Sequence, residues 1–433
     1  MNLASQPPSA SSARTAFVVG AGIVGICCAI ELRRRGLAVT LLDRLAPAEA
    51  CSAGNAGILA AHGVVPIGLP GLHAHGAAML LSRDSPLVLR LGSLHHAVPW
   101  VMRMLRSANE PQVHRTATAM KALYGSTVAR HQALAAEAGV PELIRAQPGL
   151  YVHPEANGID LAGGLAWQLR REHGAQIEVL EGAALREAEP ALSPAYTRGV
   201  RMGPMAHTVH PQRLARAYAA LAQRLGVAVV RDELRALQPP AGGSGPVQLL
   251  AAHQHHTADV VVLATGAWTA PLVRPLGLKL PLLAERGYHV TYADPGLELN
   301  HVVSDIAAHV AVTSMEPGLR IAGTEEIGLA DAPPDWRRAE VLHRLAQRMF
   351  PGARLTQGSR WMGPRPGLPD SLPAIGPVPG VAAVWVAGGH GHLGLTGAPH
   401  TGELVARGVC GEPLGLAPGA YSPSRFMGSA RSR

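Results

Sequence analysis

The stretch Val18–Asp43, VVGAGIVGICCAIELRRRGLAVTLLD, sets three glycines, an apolar run and a lone acid at regular distances. Ala16–Gly20 is a short apolar run suited to a buried parallel strand. Gly20, Gly22 and Gly25 follow in G-x-G-x-x-G spacing, a helical segment runs to Arg35, and Gly36 marks its stop. Leu37–Leu42 reads as the next strand, ending on Asp43. Gly20 makes the tight turn, Gly22 lets backbone approach a pyrophosphate, and Gly25 lets helix and strand pack closely. The helix N-terminus offers unpaired N–H groups and a positive dipole end to phosphate. Asp43 lies about 20 residues beyond the first glycine, where a carboxylate accepts ribose hydroxyls and disfavours a 2′-phosphate. The pattern predicts a dinucleotide-binding strand–helix–strand unit, with Ile23, Val24 and Arg44 beside the ligand. A Gly-rich turn in a buried helix hairpin would leave Asp43 unexplained.

Composition sets the bounds around this unit. The 433 residues are 47% hydrophobic and 16% charged, enough for two domains and a sizeable core. The formal charge of +8 comes almost wholly from arginine, Lys121 and Lys279 being the only lysines. The longest basic run is Arg33–Arg35, which reads as a solvated helix end and not as a nucleic-acid footprint. Cys27, Cys28, Cys51 and Cys410 form no C-x-x-C pair, so neither a metal site nor a disulfide framework is expected. Ala16–Ile30, the longest uncharged apolar stretch, has 15 residues and falls short of the roughly 20 that span a bilayer. A soluble, cytoplasmic protein is expected, with peripheral contact to an anionic membrane left open.

Further along, CSAGNAGILAAHG (Cys51–Gly63) is a small-residue loop that would let backbone crowd a flat ligand. ADVVVLATGAWT (Ala258–Thr269) is another buried strand ending in Ala-Thr-Gly. Near the C-terminus, Gly363–Thr396 combines a proline-stiffened turn, a strand at Val381–Ala387, a Gly/His loop and the start of a helix. Helices are also expected over Thr116–Ala138, Leu161–Glu172 and His210–Gly226, and β structure dominates Pro281–Gly323.

At Gly20–Asp43, Ser52–Gly57, Ala264–Trp268 and Gly363–Thr396 the chain resembles the FAD-dependent D-amino-acid oxidase/dehydrogenase superfamily. Asn55-Ala56-Gly57 and the Gly287-Tyr288 pair look closest to the small-subunit-type bacterial D-amino-acid dehydrogenases. The resemblance implies an α/β (α+β) fold: a Rossmann-like FAD-binding domain and a second, mainly antiparallel-sheet substrate domain. The FAD domain would be assembled from 14–95, 200–275 and 358–412, and the substrate domain from 96–199 and 276–357. A disordered lead-in (1–13) and a loose tail (413–433) would flank them. It also implies noncovalent FAD, held by Gly20, Gly22, Ile23, Val24, Gly25, Asp43, Arg44, Ser52, Asn55, Ala56, Gly57, Thr265 and Gly266. Gly391, His392, Leu393, Gly394, Leu395 and Thr396 would turn backbone N–H groups toward the flavin's ring carbonyls, backed by a helix dipole. Cys51, near the flavin, keeps covalent attachment open.

Oxidation of an amine by flavin needs little from side chains beyond an anchor and a dry, oriented pocket. Arg365, between prolines, is the expected anchor, since its guanidinium can hold a carboxylate by two parallel hydrogen bonds. The structural alternative is an Arg365–Asp370 pair. Tyr288 is read either as a pocket wall and hydroxyl donor or as a core residue, with Arg286 a fallback anchor. Arg320 is expected to pair with Glu325 or Glu326. His390 and His392 lack a third ligand at close spacing, so no metal is expected, and His392 is expected to face the substrate.

Three functions fit. One is an FAD-dependent dehydrogenase taking a D-amino acid, or a cyclic imino acid such as a D-proline-like compound, to an imine that water hydrolyses to a 2-oxo acid. The second is an oxidase passing the electrons to dioxygen. The third is an FAD-bearing subunit of a hetero-oligomer. The electron acceptor, whether quinone, partner subunit or dioxygen, stays open, and no nucleic-acid partner is expected.

Overall fold

The computed structural model of the protein describes residues 13–71, 87–89, 91–240 and 245–427. Apart from Ala13, the expected lead-in lies outside these residues.

Two sheets organise the chain. The first has six strands in the order Ala228–Arg231, Ala38–Asp43, Thr15–Val19, Val260–Leu263, Val381–Gly388 and Ala374–Val378. All its pairs are parallel except the last. A parallel strand covered on both faces must be apolar throughout, and Val260, Val261, Val262 and Leu263 are all fully buried. The helix Ile23–Arg34 lies on this sheet beneath Gly394–Val409 and Pro211–Arg224. Burial on several sides explains its apolar run. A Cβ at Gly402 would stand 2.6 Å from the backbone of Cys27, so the two helices nearly touch there. Cys27 and Cys28 are core residues, buried in this helix contact.

The second sheet has nine strands and is mainly antiparallel. Its path runs Ser359–Gly367, Leu283–Tyr292, Gly318–Gly328, Val310–Met315, Val302–Asp305, Gly149–Val152, Arg198–Gly203 and Gln176–Glu181, with Leu87–Leu89 against Gly318–Gly328. The helix Arg337–Met349 packs on its outer face through Leu342, Ala346 and Met349.

The sheets divide the chain differently from the expected boundaries. Arg198–Gly203 and Ser359–Gly367, placed partly or wholly with the FAD domain, are strands of the large sheet. The segment 116–138, placed with the substrate domain, forms two helices, Glu110–Tyr124 and Thr127–Ala138, that pack into the core of the parallel sheet through Leu123, Tyr124, Leu134 and Ala135. Gly125 ends the first helix. The helix expected from Leu161 starts at Leu165, because the Asp160 carboxylate accepts the N–H groups of Ala162 and Gly163 in a turn. The described part of the tail, 413–427, is docked: Tyr421 is buried and donates to the Ala119 carbonyl at 2.6 Å. Arg425 donates to both Asp370 oxygens at 2.7 and 3.2 Å. Its Pro, Gly and Ser content hides two side-chain anchors. Among the described residues no helix is long and apolar enough to cross a membrane.

Candidate functional site

The nucleotide end is built from close approaches of backbone. Gly20 adopts φ +106°, and a Cβ there would fall 2.4 Å from the Ala264 carbonyl oxygen. A Cβ at Gly25 would overlap the Gly20 carbonyl at 1.8 Å. A Cβ at Gly22 would meet only the Ser52 Oγ, at 3.3 Å, so this glycine keeps a concave space open at the helix start. The Ser52 Oγ accepts the Ile23 N–H at 2.9 Å, and Val24 follows in the first helical turn. The Asp43 carboxylate accepts the N–H groups of Ala21 (2.6 Å) and Leu45 (2.9 Å), which fixes it beside the glycine turn. Arg44 stacks over the Trp268 ring at 4.6 Å, and Trp268 in turn donates to Asp331 at 3.0 Å. Gly266 takes φ +55°, and the Thr265 hydroxyl is bonded to that of Thr269 at 3.0 Å.

The loop 51–57 bridges the two sheets. The Asn55 Oδ1 accepts the Gly57 N–H at 2.5 Å. Three side chains of the large sheet hold its backbone, His289 Nδ1 on the Gly54 carbonyl (2.9 Å), Arg320 on Asn55 (2.6 Å) and Thr313 on Ala56 (3.2 Å), while the loop's Cys51 Sγ donates to the Pro364 carbonyl (2.9 Å). Gly57 has φ +78°, and a Cβ there would meet the Thr208 carbonyl at 2.5 Å. Arg320 therefore serves the loop and Thr291, not a carboxylate as expected from its neighbours. Burial lowers its pKa to about 10, still leaving it charged. Burial and the Arg320 cation lower the pKa of His289 to about 3, against the pull of its bond to Gly54, so it is neutral and donates from Nδ1. The Trp361 ring stacks on His289 at 5.1 Å and covers Gly54, where a Cβ would stand 2.2 Å from it.

The strand Leu283–Tyr292 decides which residues face this loop, since alternate side chains point to opposite faces. Glu285, Gly287, His289 and Thr291 share the inner face with Arg365 and Trp361 of the neighbouring strand. Tyr288 and Arg286 lie on the outer face. The Tyr288 hydroxyl donates to Glu326 at 2.5 Å and accepts the Asp335 N–H at 2.9 Å, and its ring meets Trp336 edge-on. Arg286 stands 3.5 Å from Glu326 and donates to the carbonyls of Ala332 and Pro333. Tyr288 is thus a core residue, the alternative that strand alternation already carries, and Arg286 is no anchor.

Arg365 is part-exposed and donates from Nη1 to Glu325 Oε1 at 2.9 Å. Its expected structural alternative, Asp370, pairs with Arg425 instead. The guanidinium crosses Gly287, where a Cβ would fall 2.2 Å from its Cζ. Glu325 reaches this face because of a bulge. Thr324, at φ +48°, is an extra residue between the pairs Tyr288–Gly323 and Gly287–Glu325. It turns Glu325 inward and Glu326 outward. Glu285, 2% exposed, is opposite Arg365 in the register, and its Oε2 has no hydrogen-bond partner. Burial and the nearby Glu325 raise its pKa to about 8, against Arg365, so Glu285 holds a proton at neutral pH.

The Gly/His loop meets this face from the parallel sheet. Gly391 has φ +54°, and a Cβ on it would lie 3.8 Å from the Glu285 Oε2. A short turn, Gly391–Leu393, leads into the helix Gly394–Val409, whose start has no side-chain cap. Leu393 and Leu395 pack into the core, and the Thr396 hydroxyl donates to Ile58 O at 3.2 Å. His390 is buried on Thr401 at 2.9 Å. His392 is exposed at the turn beside Glu325 and Arg365; loss of water around its ring lowers its pKa, Glu325 opposes and Arg365 reinforces. The two histidines therefore diverge instead of sharing a ligand. Sequence reasoning missed Glu285, Gly287, His289, Glu325 and Trp361. The alternation along Leu283–Tyr292 carries the signal for the first three.

A parallel sheet with a glycine-rich turn, facing an inner sheet face across a small-residue loop, defines a two-domain dinucleotide oxidoreductase. A family model described as "FAD dependent oxidoreductase" (DAO) matches residues 15–407, and the chain belongs to that family. It is 35% identical over 421 residues to a D-amino-acid oxidase of Bradyrhizobium diazoefficiens, covering 96% of this chain and 99% of the relative. It is 30% identical over 428 residues to a D-amino acid dehydrogenase of Rhodopseudomonas palustris, covering 96% and 99%. Among solved structures it resembles glycine oxidase from Geobacillus kaustophilus, with TM-score 0.71, 22% identity, and 96% and 100% of the two chains covered.

FAD is the cofactor, and the open space at Gly22 beside an uncapped helix start and Asp43 suits its diphosphate and ribose. When bound, FAD supplies a hydride acceptor. On the inner face of the large sheet the chain sets the Arg365 guanidinium beside neutral His289, Trp361 and protonated Glu285.

Proposed function

We propose that the protein oxidises a D-amino acid, or a cyclic imino acid, at the Cα–N bond, giving an imine that water hydrolyses to a 2-oxo acid. The observation that carries this reading is Arg365, a part-exposed guanidinium on the inner sheet face with donors beyond the one given to Glu325. Those donors suit a substrate carboxylate. Two full-length relatives named for D-amino acids support the substrate class. Gly20, Gly22, Ile23, Val24, Gly25, Asp43, Arg44 and Ser52 would hold the adenosine diphosphate half of FAD. Asn55, Ala56, Gly57, Thr265, Gly266 and Gly391–Thr396 would hold the flavin half, with His392 toward the substrate.

FAD is held noncovalently in this reading. Cys51, the cysteine in the loop, has its pKa raised to about 11 by burial, against Arg365, and stays a thiol bonded to Pro364. Four free cysteines suit a reducing compartment such as the cytoplasm.

The experiment is anaerobic mixing of the purified yellow holoenzyme with single D-amino acids. Bleaching of the flavin band by D-amino acids, with release of ammonia and a 2-oxo acid, is expected. No bleaching by any amino or imino acid would overturn the reading. Reoxidation by dioxygen or only by a quinone then separates oxidase from dehydrogenase.

A further inference from the structure

Two carboxylates beside one arginine exceed what an amino-acid anchor needs. Glu325 is ion-paired to Arg365 at 2.9 Å with both side chains part-exposed, so a ligand can reach the pair. Glu285 lies behind it, 98% buried by its 2% exposure, with Oε2 unpartnered and turned toward Gly391. The Thr324 bulge is the device that brings Glu325 onto this face instead of the outer one.

We propose that Glu325, backed by Glu285, makes this site select amino acids whose side chain carries a second, cationic nitrogen. The inference rests on the proposed amino-acid reading. Its argument is a count of charge. When a substrate carboxylate takes the free donors of Arg365, one guanidinium charge is shared between that carboxylate and Glu325. The α-amino group cannot supply a second, because hydride leaves Cα only when the nitrogen lone pair is free, and that nitrogen must then be neutral. One anionic carboxylate would be left beside another on the substrate, in a partly desolvated site, which is costly. Glu285 supplies no cation, since burial and the neighbouring Glu325 keep it a neutral acid. A side-chain ammonium or guanidinium restores neutrality by pairing with Glu325. An acidic side chain worsens the imbalance and is rejected.

Among the described residues the groups facing Glu325 are Arg365, reaching across the strand Leu283–Tyr292 from Ser359–Gly367, Glu285 of that intervening strand, and His392 of the Gly/His loop. No lysine among the described residues stands with them, and Arg365 is the arginine that the substrate would engage.

The test compares matched pairs by stopped-flow flavin reduction: D-lysine against D-norleucine, and D-arginine against D-citrulline. The cationic member is expected to be about tenfold or more faster per unit concentration, the scale of one new charge pair. In Glu325→Gln the lysine-to-norleucine ratio should fall toward one. A parent ratio of one or below, or a ratio unchanged in Glu325→Gln, would overturn the inference while leaving the amino-acid reading intact. The parent ratio decides the matter even where the variant does not fold. Failure of every amino acid to reduce the flavin would instead remove the reading on which the inference rests.

Discussion

Arg365 reaches Glu325 at 2.9 Å by passing over the bare backbone of Gly287. The glycine therefore sets the guanidinium's path, although it carries no functional group. In Gly287→Ala the new methyl would begin 2.2 Å from the guanidinium carbon, and the flexible arginine end must swing aside. FAD content should be unchanged, while the concentration of amino acid needed for half-maximal flavin reduction should rise several-fold, on the order of 1–2 kcal/mol of lost hydrogen bonding. Unchanged saturation would show that the arginine's path does not matter.

Asp43 is fixed beside the glycine turn by the N–H groups of Ala21 and Leu45, where the proposed cofactor site places the ribose. Asp43→Ala should weaken FAD retention by roughly 1.5–3 kcal/mol, the range for hydrogen bonds to a charged group. Equilibrium dialysis of flavin at matched protein concentration measures it. Retention equal to that of the parent would remove Asp43 from the cofactor site.

Glu285 gives a pH signature. Its pKa rises to about 8 in the fold through burial and Glu325, against Arg365, from an ordinary unfolded value near 4.3. The folded form thus binds the proton more tightly, and stability is lost as pH rises from about 4.5 to 8. Glu285→Gln, which keeps the neutral shape, should melt higher than the parent at pH 8, with the gap closing toward pH 4.5. A gap that does not vary with pH would show that the carboxyl is not protonated in the fold.

Asp370 and Arg425 tie the C-terminal segment to the turn after Arg365. Asp370→Asn or Arg425→Ala should lower stability by roughly 1.5–3 kcal/mol and leave the rate of flavin reduction by substrate within twofold. Slowed reduction without loss of stability would place this pair in the substrate site.

What was legible in the sequence follows from how local each signal is. Gly20, Gly22, Gly25 and Asp43 lie within one strand–helix–strand unit, so spacing alone carries their arrangement. The loop Ser52–Gly57 is readable as small residues, but the ties from His289, Thr313 and Arg320 come from distant strands. Tyr288 could have been assigned to the outer face by counting alternate positions from Glu285. Glu325 could not, because a one-residue bulge at Thr324 reverses the facing of the strand's later side chains, and the residue at positive φ there is a threonine. Tyr421 and Arg425 were lost in a Pro/Gly/Ser-rich tail whose composition says nothing about two long-range anchors.

The carboxylate at Arg365 can be read from flavin reduction in parent and Arg365→Ala, each offered a D-amino acid and the amine lacking its carboxylate. The parent should be bleached by the amino acid far more readily than by the amine. Arg365→Ala should keep its FAD and lose roughly 2–5 kcal/mol of that preference, the cost of truncating one side of a charge pair. Equal bleaching of parent and Arg365→Ala by the amino acid, or a parent that favours the amine, would contradict it.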